Sequence, residues 1–271
     1  MVNKLKSIAI GAGEILLRHF KKPKKYATKN GRYDYLTDAD TETNNYIVQK
    51  IIEAFPADRV LSEEGSTSYD GRGRWWLVDP LDGTKNFIRD NDGFCVVIGL
   101  CIDGNPEFGL VFSPVRNLLY YAQKGKGAFM QRDSSVSKLS VSMTGMISTS
   151  HMTVADHAGE PRPLIGLEKS FKVLRKSTEG STGLKLAKVA SGDADFFMVT
   201  HYKMGKWDTC GGQVILEEAG GKVTNLHGET LNYRSKNALW NDTIIASNSK
   251  LHDQLLSHIR LFFKYNGSFP K

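Results

Sequence analysis

Residues Trp75-Trp76-Leu77-Val78-Asp79-Pro80-Leu81-Asp82-Gly83-Thr84 restrict this chain more than any other segment. An apolar strand runs straight into two carboxylates, and a buried acid is costly unless it is paired or holds a cation. Pro80 stiffens the turn between Asp79 and Asp82, so both carboxylates can face one point. Hard oxygen ligands at that spacing suit Mg²⁺, which is bound by a few carboxylates plus substrate phosphate. Gly83 and Thr84 then open a helical turn whose backbone N–H groups suit phosphate. A metal beside a phosphate points to metal-assisted phosphoryl chemistry.

The 271 residues are enough for one large domain or two smaller ones. The 36 Lys and Arg against 29 Asp and Glu leave a net charge of +7, which suits nucleic acid, an acidic membrane surface or a small anionic substrate. The densest basic run, Lys21-Lys22-Pro23-Lys24-Lys25, reads as a solvated loop after a helix. No basic stripe is interleaved with aromatics, so no nucleic acid polymer is expected as partner. Cys95, Cys101 and Cys210 form no CxxC pair and read as reduced, buried residues of a cytoplasmic protein. No segment is apolar enough to span a membrane. Leu5, Ile8, Ala9, Ala12, Ile15 and Leu16 fall on one helical face, so the N-terminus reads as the first helix of the fold rather than a signal peptide.

The periodicity predicts that helix to about Phe20, a turn at Asn30-Gly31, and a second helix opened by Leu36 to Asp40 with Ile47, Ile51, Ile52 and Phe55 as its apolar face. Short strands are expected at Val60 to Glu64 and Trp75 to Asp79. Two more, Phe94 to Ile102 and Phe108 to Phe112, flank the hairpin signal Asp103-Gly104-Asn105, and Leu118 to Ala122 and Ala128 to Gln131 extend the meander. Residues 132–180 are the least readable; Ile147 to Ser150 reads as a strand and Gly159 to Pro163 as a loop. Beyond them the pattern alternates: helix Leu184 to Ala190, strand Ala194 to Val199, helix Asp208 to Ala219 ended by Gly220-Gly221, strands Lys222 to Thr224 and Thr243 to Ala246, and a closing helix Leu251 to Phe263. This order suggests an α/β fold of layered helices and sheets, with a seam near residue 135 dividing an N-terminal part, 1–135, from a C-terminal part, 136–271.

Acids cluster at Asp38/Asp40, Glu63-Glu64, Asp79/Asp82 and Asp208. A helix N-cap accounts for Asp38 or Asp40 and in part for Asp208. It accounts poorly for Asp79 and Asp82, since like charges that close destabilise each other unless a cation lies between them. Glu63-Glu64, then Trp76 to Phe87, then Trp207-Asp208-Thr209 leading to Glu218-Ala219-Gly220-Gly221, resemble the inositol monophosphatase superfamily of Mg²⁺-dependent, lithium-sensitive phosphatases. The resemblance spans roughly residues 5 to 260, with residues 132–180 matching loosely. It implies an αβαβα sandwich, two or three Mg²⁺ ions per site and, as partners, a small phosphorylated substrate and a second copy of the chain in a homodimer. It further implies that Glu63, Asp79 and the Leu81 carbonyl bind a first metal and that Asp79, Asp82 and Asp208 hold a second. Asp40 and Thr84 match the pair that orients and deprotonates the attacking water, with Glu63 nearby, and Gly83 and Thr84 match the amide cradle for the scissile phosphate.

Within the superfamily, Lys85-Asn86-Phe87 and Gly180-Ser181-Thr182-Gly183-Leu184-Lys185 resemble the CysQ-type 3'(2'),5'-bisphosphate nucleotidases, as do Ser150-His151 and Leu231-Asn232-Tyr233. That resemblance makes Thr182, Lys185 and His151 substrate-binding residues, with Asp82 and Asp208 also facing substrate. Lys185 would meet a second phosphate as a point charge; the plainer reading makes it a solvated lysine and His151 a strand-end histidine. Two departures stand against the match: Gly183-Leu184-Lys185 replaces the usual Ser-Leu-Lys, and an arginine usual beyond Val199 is missing, with Lys203 as its only nearby substitute. The expected activity is hydrolysis of the 3'-phosphate of adenosine 3',5'-bisphosphate; the alternatives are an inositol monophosphatase and a non-catalytic metal-binding scaffold.

Overall fold

The computed structural model describes residues 1–28, 35–65, 68–155, 165–199, 204–240 and 242–266. Expectations for Asn30-Gly31, Gly159 to Pro163 and Lys203 lie outside them.

Helix α1 (Val2–His19) buries the six apolar residues that its periodicity selects. A small hairpin, β1 (Tyr26–Thr28) and β2 (Tyr35–Thr37), leads into α2 (Asp38–Ala54). Thr37 is the N-cap of α2 and Asp40 answers it from the N3 position, a reciprocal box that satisfies two donors at the helix start. The expected apolar face of α2 needs one correction. Ile52 is 50% exposed, because the inward stripe runs through Ala39, Thr43, Asn44, Ile47 and Ile51.

Strands β3 (Arg59–Ser62), β4 (Arg74–Asp82), β5 (Cys95–Ile102), β6 (Asn105–Ser113), β7 (Leu118–Gln123), β8 (Ala128–Arg132) and β9 (Ser135–Lys138) form a seven-stranded sheet in chain order, with helix α3 (Thr84–Ile88) between β4 and β5. Within this sheet, among the described residues, only β3 and β4 pair in parallel. The meander expected from sequence is present, and Asp103 and Gly104 turn its first hairpin with φ of 49° and 77°.

The second half begins differently from its expected form. Ile147–Thr149 is a 3₁₀ turn rather than a strand, and β10 (His151–Ala155) starts only after it. The hydroxyls of Thr149 and Ser150 bond back to the carbonyls of Met146 and Ile147, which closes the turn. Helix α4 (Ile165–Ser170), β11 (Arg175–Glu179), α5 (Thr182–Ala190), β12 (Phe196–Val199), α6 (Lys206–Glu218), β13 (Gly221–Asn225), β14 (Ile244–Asn248) and α7 (Ser249–Asn266) complete the chain. Their strands form a five-stranded sheet in the order β11-β10-β12-β14-β13.

Strand alternation builds the layers. Trp76 and Val78 face α1 and α2, while Trp75 and Leu77 face α5 and α6. Phe197 and Val199 face the same middle helices from the other sheet, while Phe196 and Met198 face α4 and α7. The result is the expected αβαβα sandwich. Its middle layer depends on missing side chains: a Cβ on Gly109 would lie 1.9 Å from the carbonyl oxygen of Gly211, so α6 rests backbone to backbone on the sheet. All three cysteines are free and buried. Among the described residues, no helix is long and apolar enough to cross a membrane.

Candidate active site

The site lies where β4 ends and α2, α3, α5 and α6 begin. Strand β4 continues through the two acids of the opening motif. Its register against β5 shifts between Asp79, opposite Val97, and Asp82, opposite Cys95, so three steps on β4 match two on β5. The bulge falls at Pro80, which has no N–H for the ladder. Asp82 remains close enough for its charge to raise the pKa of both Asp79 and Asp208.

Asp79 is 1% exposed. Its carboxylate stands with those of Glu63 and Asp208 in a trio whose ligand oxygens all lie within 4.8 Å of one another. Glu63 reaches it from the turn after β3, where its N–H donates to the Val78 carbonyl. Asp208 comes from the first turn of α6 and accepts from Gly205 N at 2.5 Å. Burial pushes the Asp79 carboxyl well above its ordinary range, and the charges of Glu63, Asp82 and Asp208 push it further. Asp208 moves the same way, by burial first and then by Glu63 and Asp82, and it shares a hydrogen bond with Asp79. Such a group is poor in compensating charge, and hard divalent cations bind oxygen donors of this type. The trio fits a metal such as Mg²⁺.

Asp82 stands outside the trio. Its Oδ2 accepts from Ser181 Oγ at 2.7 Å and Gly183 N at 2.6 Å, at the start of α5. Burial raises its pKa, while these donors and the nearby Lys185 oppose the rise. Ser181 also caps α5 through Leu184 N at 2.9 Å. The sequence reading passed over Ser181 as a site residue; its signal was a Ser-Thr-Gly run directly before a helical pattern.

Asp40 is 2% exposed. Its Oδ2 accepts from Thr37 N and Thr37 Oγ1 at 2.7 and 2.5 Å, and Thr84 Oγ1 lies 3.4 Å from its Oδ1. Thr84 Oγ1 also lies 3.1 Å from the Leu81 carbonyl oxygen. Burial raises the Asp40 pKa to about 7, with the Thr37 bonds opposing and Glu64 and Glu63 adding to the rise. Gly83 holds φ at +96°, and a Cβ there would lie 2.6 Å from the Gly93 carbonyl oxygen, so only glycine makes this turn. The α3 helix that it opens starts with amides lacking helical acceptors.

Lys185 is only 2% exposed, which ends its reading as a solvated surface lysine. Burial lowers its pKa against the opposing charges of Asp82, Glu179 and Asp208. Thr182, 8% exposed, lies three residues before it on α5. His151 is the residue that the structure does not bring to this cluster. It begins β10, paired with Arg175, whereas Ala155 pairs with Glu179 at the end near α5. Four residues of strand separate the two ends, about 13 Å, and the His151 ring bonds Ser177 Oγ at 2.8 Å. The Ser-His pair therefore lies at the other end of its strand from the start of α5. Tyr233 of the Leu-Asn-Tyr marker is fully buried behind α6, bonded to Thr209 and Gln213 at 2.9 Å each.

Comparison with known proteins gives the family. A curated fructose-1,6-bisphosphatase/inositol-1-monophosphatase of Thermotoga maritima is 30% identical over 244 residues, covering 90% of each chain. The 3'(2'),5'-bisphosphate nucleotidase CysQ of Haemophilus influenzae is 29% identical over 270 residues, 98% of this chain and 97% of that one. The solved structure of a Thermotoga maritima IMPase superposes with a TM-score of 0.82 at 27% identity, over 98% of this chain and all of that one. The model of the inositol monophosphatase family matches residues 1–261, and the chain belongs to that family.

Proposed function

We propose that the protein is a Mg²⁺-dependent phosphomonoesterase that hydrolyses the 3'-phosphate of adenosine 3',5'-bisphosphate, giving AMP and phosphate. The observation that carries the substrate choice is Lys185, a buried cation one helical turn beyond the residues that hold Asp82. A buried cation without a close ion pair among the described residues suits a second phosphate group. The likeness to CysQ over nearly the whole chain supports the same reading.

Glu63, Asp79 and the Leu81 carbonyl would hold one Mg²⁺ and Asp79, Asp82 and Asp208 another, within a set of two or three ions. Bound Mg²⁺ supplies a lowered water pKa and charge stabilisation at the leaving oxygen. The chain's own groups do the rest. Thr84 Oγ1, fixed between Asp40 and the Leu81 carbonyl, orients the water. Asp40, with its carboxyl near 7, is poised to take the proton as the water oxygen bonds phosphorus. The amides of Gly83 and Thr84 face the phosphoryl oxygens as the P–O bond to the 3' carbon's oxygen breaks, and that oxygen leaves with a proton from solvent. Lys185 and Thr182 hold the 5'-phosphate side.

The second reading, an inositol monophosphatase, is favoured by the likeness to the Thermotoga protein. Phosphate release from adenosine 3',5'-bisphosphate and from inositol 1-phosphate, measured side by side with and without Mg²⁺, tests both. A kcat/KM at least tenfold higher for the bisphosphate is expected; the reverse order would install the second reading. No release from either substrate would leave a metal-binding scaffold.

A further inference from the structure

β11 is the outermost strand of the five-stranded sheet, held by hydrogen bonds on one side only. Its last residue, Glu179, nevertheless directly precedes the Gly180–Gly183 segment that grips Asp82. An edge strand this short needs another anchor to place its end within a few tenths of an ångström, and one is built from distant parts of the chain. Glu179 is 4% exposed and accepts from Arg116 Nη1 at 2.8 Å and Nη2 at 3.2 Å, a two-pronged pair. Lys188 Nζ lies 3.3 Å from the same carboxylate, and Gly180 N donates to it at 3.1 Å. Arg116, in the turn between β6 and β7, reaches further to Asp92 at 3.0 and 3.2 Å, in the loop before β5. Gly180 itself is seated against the first sheet: a Cβ there would lie 2.0 Å from Asn86 Nδ2 and 2.4 Å from the Gly93 carbonyl oxygen. Burial alone would raise the Glu179 pKa, but Arg116 and Lys188 outweigh it and hold the carboxylate below its ordinary range.

We propose that the Arg116–Glu179 pair is a positioning element of the active site: it fixes the Gly180–Gly183 segment and so orients the Asp82 carboxylate for metal. Arg116 lies in a turn joining two strands of the seven-stranded sheet and Glu179 on the five-stranded one, so the pair sets the distance between the part that carries Asp79 and Asp82 and the part that carries Thr182 and Lys185. Neither residue touches the carboxylate trio. Their effect passes through Ser181 Oγ and Gly183 N, and groups that orient metal ligands in this way are worth about 10- to 100-fold in metal affinity or activity.

The proposal rests on Asp82 being a metal ligand, so the deciding measurement is metal binding rather than turnover. Mn²⁺, which accepts the same oxygen donors, is titrated into the metal-free full-length protein and its free fraction followed by electron paramagnetic resonance at 25 °C. The proteins compared are wild type, Glu179→Gln, Arg116→Lys and the double variant. Each single variant is expected to weaken Mn²⁺ binding about tenfold, and the double no more than the worse single, because both act through one segment. Lysine keeps the charge of Arg116 but cannot bridge both oxygens, so Arg116→Lys decides the matter if Glu179→Gln fails to fold. Mn²⁺ affinities within twofold of wild type, with a lowered Tm, would make the pair a plain interlayer brace and overturn the proposal. Wild-type protein that takes up Mn²⁺ but releases no phosphate from either substrate would remove the phosphatase reading alone, leaving the positioning result intact.

Discussion

Asp79 and Asp82 lie three residues apart on one strand, yet the molecule treats the two ends of that bulge in opposite ways. Around Asp79 the protein gathers acid: Glu63 and Asp208 stand within 4.8 Å of it, and all the neighbouring charges named for it are negative. Around Asp82 it gathers donors: Ser181 Oγ, Gly183 N and the charge of Lys185 all favour the ionised form. Burial still raises the Asp82 pKa, so these donors lessen the cost of its charge without removing it. At the Asp79 end the fold carries an electrostatic cost that a bound cation or a proton relieves. At the Asp82 end the first turn of α5 supplies part of the relief itself.

The largest expected effect breaks this comparison at its acidic end. Asp79→Asn should lower kcat by at least about a thousandfold, as loss of a group stabilising transition-state charge does. It should also raise the Tm of the metal-free protein at pH 8 by a few degrees, since amide replaces a strained carboxylate while its oxygen still accepts from Leu81 N, now at 2.9 Å. Near-normal turnover would remove Asp79 from the metal set. A lower Tm would show that the acid serves the fold.

A wild-type pH series sharpens the same point. Asp79 and Asp208 have folded pKa values raised above their unfolded ones. The folded state therefore binds protons more tightly, and stability from these groups is greatest at low pH and falls as pH rises above the ordinary carboxylate range. Saturating Mg²⁺ should accordingly raise Tm more at pH 8 than at pH 5, where protons compete for the same oxygens. Differential scanning calorimetry reads this directly, and an equal Mg²⁺ increment at both pH values would mean that the acids titrate normally.

The partly compensated end is tested through Lys185. Lys185→Met should lower kcat/KM for adenosine 3',5'-bisphosphate by about ten- to a hundredfold, the worth of a charge-assisted contact of roughly 1.5–3 kcal/mol. Much of that loss should appear in KM, because such a contact is made in ground and transition states alike. The loss for inositol 1-phosphate should be smaller. Equal losses on both substrates would make Lys185 a counter-charge for Asp82 rather than a substrate contact.

The same contrast governs what was legible in the sequence. Six of the seven strands of the first sheet and the Glu63, Asp79 and Asp208 positions were readable, because hairpin turns and strand-end acids leave local marks, whereas β9 falls in the least readable stretch. The bulge between Asp79 and Asp82 was not readable, since it depends on how β4 pairs with β5. Which end of its strand the Ser-His pair occupies was not readable either, because such a pair looks the same at either end. Arg116 and Glu179 were invisible for a simpler reason: they are 63 residues apart and meet only when the two sheets are stacked.

The smallest effect concerns a buried group remote from the site, His252 on α7, and its sign is opposite to that of the acids. Its Nε2 lies 2.8 Å from Thr224 Oγ1 and its Nδ1 2.8 Å from Ser247 Oγ, so both ring nitrogens are used by hydroxyls that serve a neutral ring. Burial lowers its pKa to about 4, with Lys222 adding to the fall. A histidine depressed in this way contributes stability that is complete above its unfolded pKa of about 6.5 and is lost as pH falls through about 4. Acidification thus relieves Asp79 and Asp208 while it penalises His252. His252→Gln, neutral throughout, should cost about 1 kcal/mol at pH 8 by breaking one of the two bonds. Below about pH 5 that deficit should shrink or reverse, because wild type must then protonate a buried ring. Activity at pH 8 should be unchanged, since α7 packs on the far face of the five-stranded sheet. Tm curves for wild type and variant that stay parallel from pH 8 to pH 4 would show that His252 titrates alike folded and unfolded. The acid limb of the stability profile would then have to come from other groups.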